Sequence, residues 1–166
     1  MALKQQFKFG FWIAFTYFIW WTVEKVIGLH SEHIDQRSLA TLLSCSIPLI
    51  GNYIAIRSLK KRFYPTVGTG ELAIQGGIVL VMSAILCILL AQVFYRWVSP
   101  DFTANKVAFV LEQIQKNNPE VDISTKRELA EASFSPMSMS ISHFSWLIMS
   151  GLVFLLPQAF IAKKIR

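Results

Sequence analysis

The chain has 166 residues, of which 54% are hydrophobic and only 16% charged, against about 25% charged in soluble domains. Its net charge of +6 would suit a nucleic-acid binder if the cations formed a stripe on a soluble module, but they gather at the ends of apolar runs. An ordinary soluble domain is therefore excluded, and the excess apolar surface has to be solvated by lipid.

Four apolar runs, about 7–29, 39–59, 72–98 and 140–162, are each long enough to cross a hydrocarbon core of ~30 Å, which takes roughly 20 helical residues. The expected fold is all-α: a single polytopic domain of four transmembrane helices, with a short extracytoplasmic helical hairpin at about 99–136. The first run follows Lys4 and Lys8 like a signal peptide. It is too long for one, and no small-residue cleavage site precedes His30, so it reads as a retained helix. Cys45 and Cys87 sit inside apolar runs without metal-type spacing and read as small buried hydrophobes.

The end of the first run carries Glu24-Lys25 and the turn His30-Ser31-Glu32-His33-Ile34-Asp35. Counting from Phe9, fifteen residues rise about 22 Å, leaving Glu24 some 8 Å short of the far edge of the core. An acid at that depth is a functional candidate by default, with a water-reached helix end as the plain alternative. His30 and His33 could ligate a divalent metal, the one cofactor the chain suggests. On one continuous helix Glu24 and Asp35 would lie opposite His33 at about 100° per residue. Only a break at Gly28 could gather His30, His33 and Glu32 or Asp35, or bring Glu24 to a group from another span.

Asp35 can cap a second helix starting at Gln36. Pro48, near the middle of that span, should kink it, with the freed carbonyls met by neighbours such as Ser44. Asn52, one turn on, should bond across to another helix. Tyr64-Pro65-Thr66-Val67-Gly68-Thr69-Gly70 is turn chemistry, and Thr69 can cap a helix opening with Glu71. Gln75, Gly76 and Gly77 open the third span with small residues that admit a neighbouring backbone. In the third connection Asp101-Phe102-Thr103 opens a helix with Val107, Val110 or Leu111, and Ile114 on one face, ended by Asn117-Asn118-Pro119. Thr125 to Glu128 fits a capping box for a second short helix through Ala132, and Ser135-Pro136 starts the fourth span. His143 enters that span and could approach His30 or Glu24.

Lys4, Lys8, Arg57, Lys60, Lys61, Arg62, Lys163, Lys164 and Arg166 put both termini and the second connection in the cytoplasm. The opposite side carries Lys25, Arg37 and a third connection in which acids such as Asp101, Glu112, Glu120 and Glu131 balance the cations. Trp20, Trp21, Tyr95, Trp97 and Trp146 read as the outer aromatic belt, with Phe63 and Tyr64 on the inner side. Trp12 reads either as an inner marker or as a packing residue.

Glu24-Lys25, Gly28-Leu29-His30, His33-Ile34-Asp35, Ile47-Pro48, Lys60-Lys61, Gln75, Gly77 and Ser99-Pro100-Asp101-Phe102 together resemble a bacterial family of small four-span proteins classed as a domain of unknown function. The resemblance runs along nearly the whole chain. It implies a bacterial inner-membrane location and a four-helix form, and supplies no activity.

Three functions stay open. One is a non-enzymatic structural or accessory membrane protein, with a membrane-protein partner or a second copy as its neighbour. A second is a small oligomeric channel or transporter using Glu24 with a polar path through Asn52, Gln92 and His143. The third is a metal-binding membrane protein or enzyme acting through His30 and His33. No nucleophile turn with a Ser-His-Asp order is present, and no nucleic-acid partner is expected.

Overall fold

The computed structural model describes residues 2–63, 66–119 and 122–164. Of the sequence expectations, those for Tyr64, Pro65, Glu120 and Arg166 lie outside the described residues. Every described element is helical: α1 (Ala2–Val26), a 3-10 turn (Ile34–Gln36), α2 (Arg37–Ser44), α3 (Ser46–Phe63), α4 (Thr69–Val93), a π turn (Phe94–Val98), α5 (Phe102–Asn117), α6 (Ile123–Ser133) and α7 (Pro136–Lys164).

Among the described residues three stretches are long and apolar enough to cross a membrane: Ile34–Phe63, Thr69–Val98 and Pro136–Lys164. The 25-residue α1 is not among them. Trp, Tyr and Thr, which rank low in hydropathy, interrupt its apolar residues, and Lys8 and Glu24-Lys25 flank them.

Contacts between side chains give the helix directions. Gln6 bonds Gln75 at one end of α1, and Lys25 bonds the Val98 carbonyl at the other, so α1 and α4 run parallel. Asn52 bonds Gln158 at 3.0 Å and Lys60 bonds the Lys163 carbonyl at 2.8 Å, so α3 and α7 run parallel. Gln92 reaches Ser140 at 2.9 Å while Gly76 lies against Leu155, so α4 opposes α7. The four long helices thus form an up-down-up-down bundle, with the N-terminal lysines, the end of α3 and the end of α7 at one end.

The core lies along α4, where Val79, Leu80, Ala84, Cys87 and Ala91 have no exposed surface. They pack against Tyr17 and Trp21 of α1 and Leu147 of α7. A Cβ on Gly10 would come within 3.0 Å of Met82 Cβ and 3.2 Å of the Ser83 nitrogen, so α1 and α4 approach backbone to backbone there. At Gly76 the expected backbone neighbour is instead side chain: Ile56 and Leu155 fill the space.

Several helix ends differ from expectation. Asp35 caps nothing; it falls within the 3-10 turn, and α2 starts at Arg37 without a side-chain cap. The second apolar run is interrupted at Cys45, in the turn before Pro48, where the proline's missing N–H and its ring act on the Ser44 carbonyl four residues earlier. Other carbonyls near the break are met locally by Ser44 Oγ on Thr41 O at 2.6 Å and Ser46 Oγ on Leu43 O at 2.7 Å. Thr69 is the first residue of α4, with uncapped Gly68 before it. The capping box at Thr125 is displaced by Asp122, whose carboxylate accepts from the Ser124 nitrogen at 2.9 Å and from the Ser124 and Thr125 hydroxyls. Ser135 does cap α7, accepting from the Ser138 nitrogen at 3.3 Å.

Helices α5 and α6 share a small apolar cluster of Val107, Leu111 and Ala130, with Ile123 and Phe134 beside it. Thr103 Oγ1 donates to the Phe134 carbonyl at 2.8 Å.

Candidate functional site

The break at Gly28 occurs. Gly28 has φ +80°, a left-handed conformation open to glycine at little cost. It ends α1 in a tight loop where Ser31 and His33 nitrogens both donate to the Gly28 carbonyl. The loop folds His30 back over the last turn of α1. His30 Nε2 lies 3.5 Å from Glu24 Oε2, and Nδ1 lies 3.0 Å from Ser99 Oγ. Asn105 of α5 donates to the His30 carbonyl at 2.9 Å.

Arg37, the first residue of α2, comes to the same carboxylate. Its Nε is 3.6 Å from Glu24 Oε2, a distance of ion pairing rather than hydrogen bonding, and its other arm donates to Tyr95 Oη at 2.9 Å. Tyr95 Oη in turn meets His143 Nε2 at 2.7 Å. The result is one connected network, Ser99–His30–Glu24–Arg37–Tyr95–His143, drawn from α1, the loop, α2, the π turn and its following bend, and α7. Glu24, His30 and Arg37 are 2%, 3% and 7% exposed.

Aromatic rings wall it in. Phe102 lies 4.2 Å beneath the Arg37 guanidinium and 4.8 Å from the His30 ring, a cation–π contact in a dry site. Phe94 meets His30 edge-on at 5.5 Å. Tyr95 stacks parallel to His143, which also lies 4.6 Å from Trp21. The π turn serves this arrangement, because it turns both Phe94 and Tyr95 inward, 0% and 2% exposed, and such turns recur at functional sites.

Buried ions are costly unless paired and hydrogen-bonded, and the network supplies Glu24 with a cation on one side and an imidazole on the other. Burial, reinforced by the Arg37 charge, holds the His30 imidazole below its ordinary pKa of 6.5 against the contrary pull of Glu24. His30 is therefore neutral near pH 7, able to donate from Nε2 to Glu24 and accept at Nδ1 from Ser99. The cluster can hold a fixed charge pair, or pass a proton along its hydrogen-bonded members.

The predicted cluster residues are only partly brought together. Glu24 and His30 enter the network, and His143 joins it through Tyr95. Lys25 is exposed and turns away to the Val98 carbonyl. His33 and Asp35 are exposed outside the network, so His30 and His33 face different surroundings. Among the described residues no three His, Cys, Asp or Glu side chains converge as a metal site would require. Asn52, Gln92 and His143 each have their own hydrogen-bond partners, and the Gln92–Ser140 pair lies one turn from Tyr95–His143 in sequence on both helices. Asn52 is paired with Gln158, whose amide donates on to Leu49 O at 2.9 Å, and Gln92 bonds Ser140 Oγ and the Pro136 carbonyl. Trp21 and Tyr95, expected in an interfacial belt, are buried walls of the site, whereas Trp97 is 82% exposed.

Sequence reasoning missed Arg37, Tyr95, Ser99 and Phe102 as partners, and Gln158 beside Pro157 inside α7. Arg37 had read as a boundary charge; its signal was a lone arginine opening an apolar run. Ser99 and Phe102 stood in a motif of the resemblance without an assigned role.

A family model described as protein of unknown function (DUF4199) matches residues 8–164. No curated protein and no solved structure matches the chain. The match spans every member of the buried network, and the chain belongs to this family, the proteins of unknown function DUF4199.

Proposed function

We propose that the protein is a non-enzymatic accessory protein of the bacterial inner membrane, crossing it four times with both termini cytoplasmic and α5–α6 forming an outer hairpin, and that it holds a membrane-protein partner or a second copy of itself. Support for a fourth span comes from α1, which runs parallel to α4 from Gln6–Gln75 to Lys25–Val98 and is 25 residues long. Support for the orientation comes from Lys4, Lys8, Arg57, Lys60, Lys61, Arg62, Lys163 and Lys164 at one end of the bundle, the bias that sets topology.

One observation carries the accessory reading over the conducting one. The interior polar groups are bonded across helices in separate sets, among them the Glu24 network, Gln92 with Ser140, Asn52 with Gln158 and Gln6 with Gln75. A conducting path needs such groups in line and open to water.

In-membrane crosslinking should capture one recurrent membrane protein, or a dimer, whose partner's level falls when this chain is deleted. Purification as a lone monomer with no captured neighbour would abandon the reading. Ion or solute flux in proteoliposomes that is present in wild type and lost in Glu24→Gln would install a channel or transporter in its place. Lys116→Cys should react with an impermeant maleimide from outside the cell and Lys61→Cys only after the membrane is opened.

A further inference from the structure

Helices α1 and α3 do not close on one another along their whole length. Between them lies a groove of about 400 Å³ walled by Trp12, Ile13 and Thr16 on one side and by Ile50, Gly51 and Ile54 on the other. Gly51 makes the floor, since a Cβ there would come 2.6 Å from Ile13 Cγ1. The groove offers almost nothing polar. Thr16 Oγ1 donates to its own helix at Trp12 O, 2.8 Å away, and the Ser46 hydroxyl is likewise taken up by Leu43 O. An occupant therefore has to be hydrocarbon along this length.

Charge stands at the open end. On α1 the groove stripe Thr16, Trp12 continues at helical spacing into Lys8 and Lys4; on α3 Ile50, Ile54 continues into Arg57 and Lys61. All four cations are exposed, and neither ion pair found among the described residues involves them. From Lys8 to Thr16 the helix rises about 12 Å, close to one leaflet of a core of ~30 Å.

We propose that this groove is a binding site for an anionic phospholipid of the cytoplasmic leaflet, with one acyl chain lying between α1 and α3 and the phosphate held by Lys8, Arg57 and Lys61. The assignment rests on the reading of the chain as membrane-spanning with this end cytoplasmic. A zwitterionic lipid could fill the groove but would leave the three cations without a net negative partner. Juxtamembrane basic residues attract anionic headgroups, so a preference of about tenfold or more is expected.

The test is native mass spectrometry of detergent-purified protein titrated with phosphatidylglycerol or phosphatidylcholine of the same chains. Wild type should retain phosphatidylglycerol about tenfold more strongly. Lys8→Gln/Arg57→Gln/Lys61→Gln should abolish the preference, and Thr16→Trp, which fills the groove from an exposed position, should weaken both lipids. Lys163→Gln/Lys164→Gln removes charge at the same end away from the groove and should change retention less than twofold. Equal retention of the two lipids by wild type overturns the site. So does a loss in the Lys163/Lys164 control equal to that of the triple variant, or undiminished binding by Thr16→Trp. Release of the protein from membranes by alkaline carbonate would instead overturn the membrane reading beneath it, whereas protein that stays in the membrane without a lipid preference removes only the site.

Discussion

The bundle handles buried polarity in two different ways. Between α3 and α7, Asn52 and Gln158 form a neutral amide pair that also reaches the Leu49 carbonyl and leaves Asn52 Oδ1 without a partner, using two helices and no loop. At the other end Glu24 and Arg37 stand at ion-pairing distance, and enclosing them takes a histidine, a tyrosine, a stacked phenylalanine and several chain segments. An amide needs only a matching dipole, whereas a buried charge needs a counter-charge, further hydrogen bonds and exclusion of water. Irregular backbone accordingly gathers at the charged end, in the Gly28 turn, the 3-10 turn and the π turn. The turns let His30 and Arg37 both come to the Glu24 carboxylate from outside its own helix.

The largest expected effect separates charge from polarity. Arg37→Met leaves Glu24 buried without its cation and should lower stability in mild detergent by about 3–5 kcal/mol. The double change Glu24→Leu/Arg37→Met should recover most of that loss, since apolar replacements of a buried pair are often neutral. If the single change costs less than about 1 kcal/mol, the contrast between the two sites dissolves.

Phe102→Ala removes the ring that lies under Arg37 and against His30, with an expected loss of about 3 kcal/mol. Amide exchange in 99–118 should rise with it, because this side chain carries the start of α5 into the bundle. Asn52→Leu should cost about 1 kcal/mol in the same unfolding assay. A cost equal to that of Arg37→Met would mean that the neutral pair is as critical as the charged one.

The smallest effect is a pH slope confined to the charged end. The native pKa of His30 lies below its ordinary 6.5, so the unfolded chain takes up the proton first as pH falls. Its contribution to stability is intact above about 6.5 and is lost progressively on acidification toward the native value. Wild type should therefore melt at lower temperature at pH 5 than at pH 7, with His30→Gln flattening part of that difference and Asn52→Leu leaving it unchanged.

Much of this was legible in the residues. Glu24 called for a partner because of its depth in an apolar run, and Gly28 stood where a helix had to break for His30 to reach it. Asn52 was marked for a cross-helix bond by the same logic of buried polarity. His30 and His33 are three apart in sequence, but the Gly28 turn leaves one buried and the other exposed, a difference their spacing does not encode. Pro48 was expected to disturb the second span, and the interruption falls at Cys45, in the turn before it, where a proline withdraws an N–H and crowds a carbonyl.

By itself the sequence determined the helical class, the length and composition of the apolar runs, the basic character of one bundle end and the need to neutralise Glu24, since each of these follows from local composition and spacing. Only the tertiary structure decided which groups do so. Arg37 and His30 come to Glu24 across the Gly28 and 3-10 turns, while Tyr95 and His143, far along the chain, join through Arg37, and that meeting depends on helix register and on irregular turns whose combined geometry no local pattern encodes. The stretch from Glu24 to Asp35 is thereby divided: Glu24 and His30 belong to the buried network, while His33 and Asp35 remain at the surface.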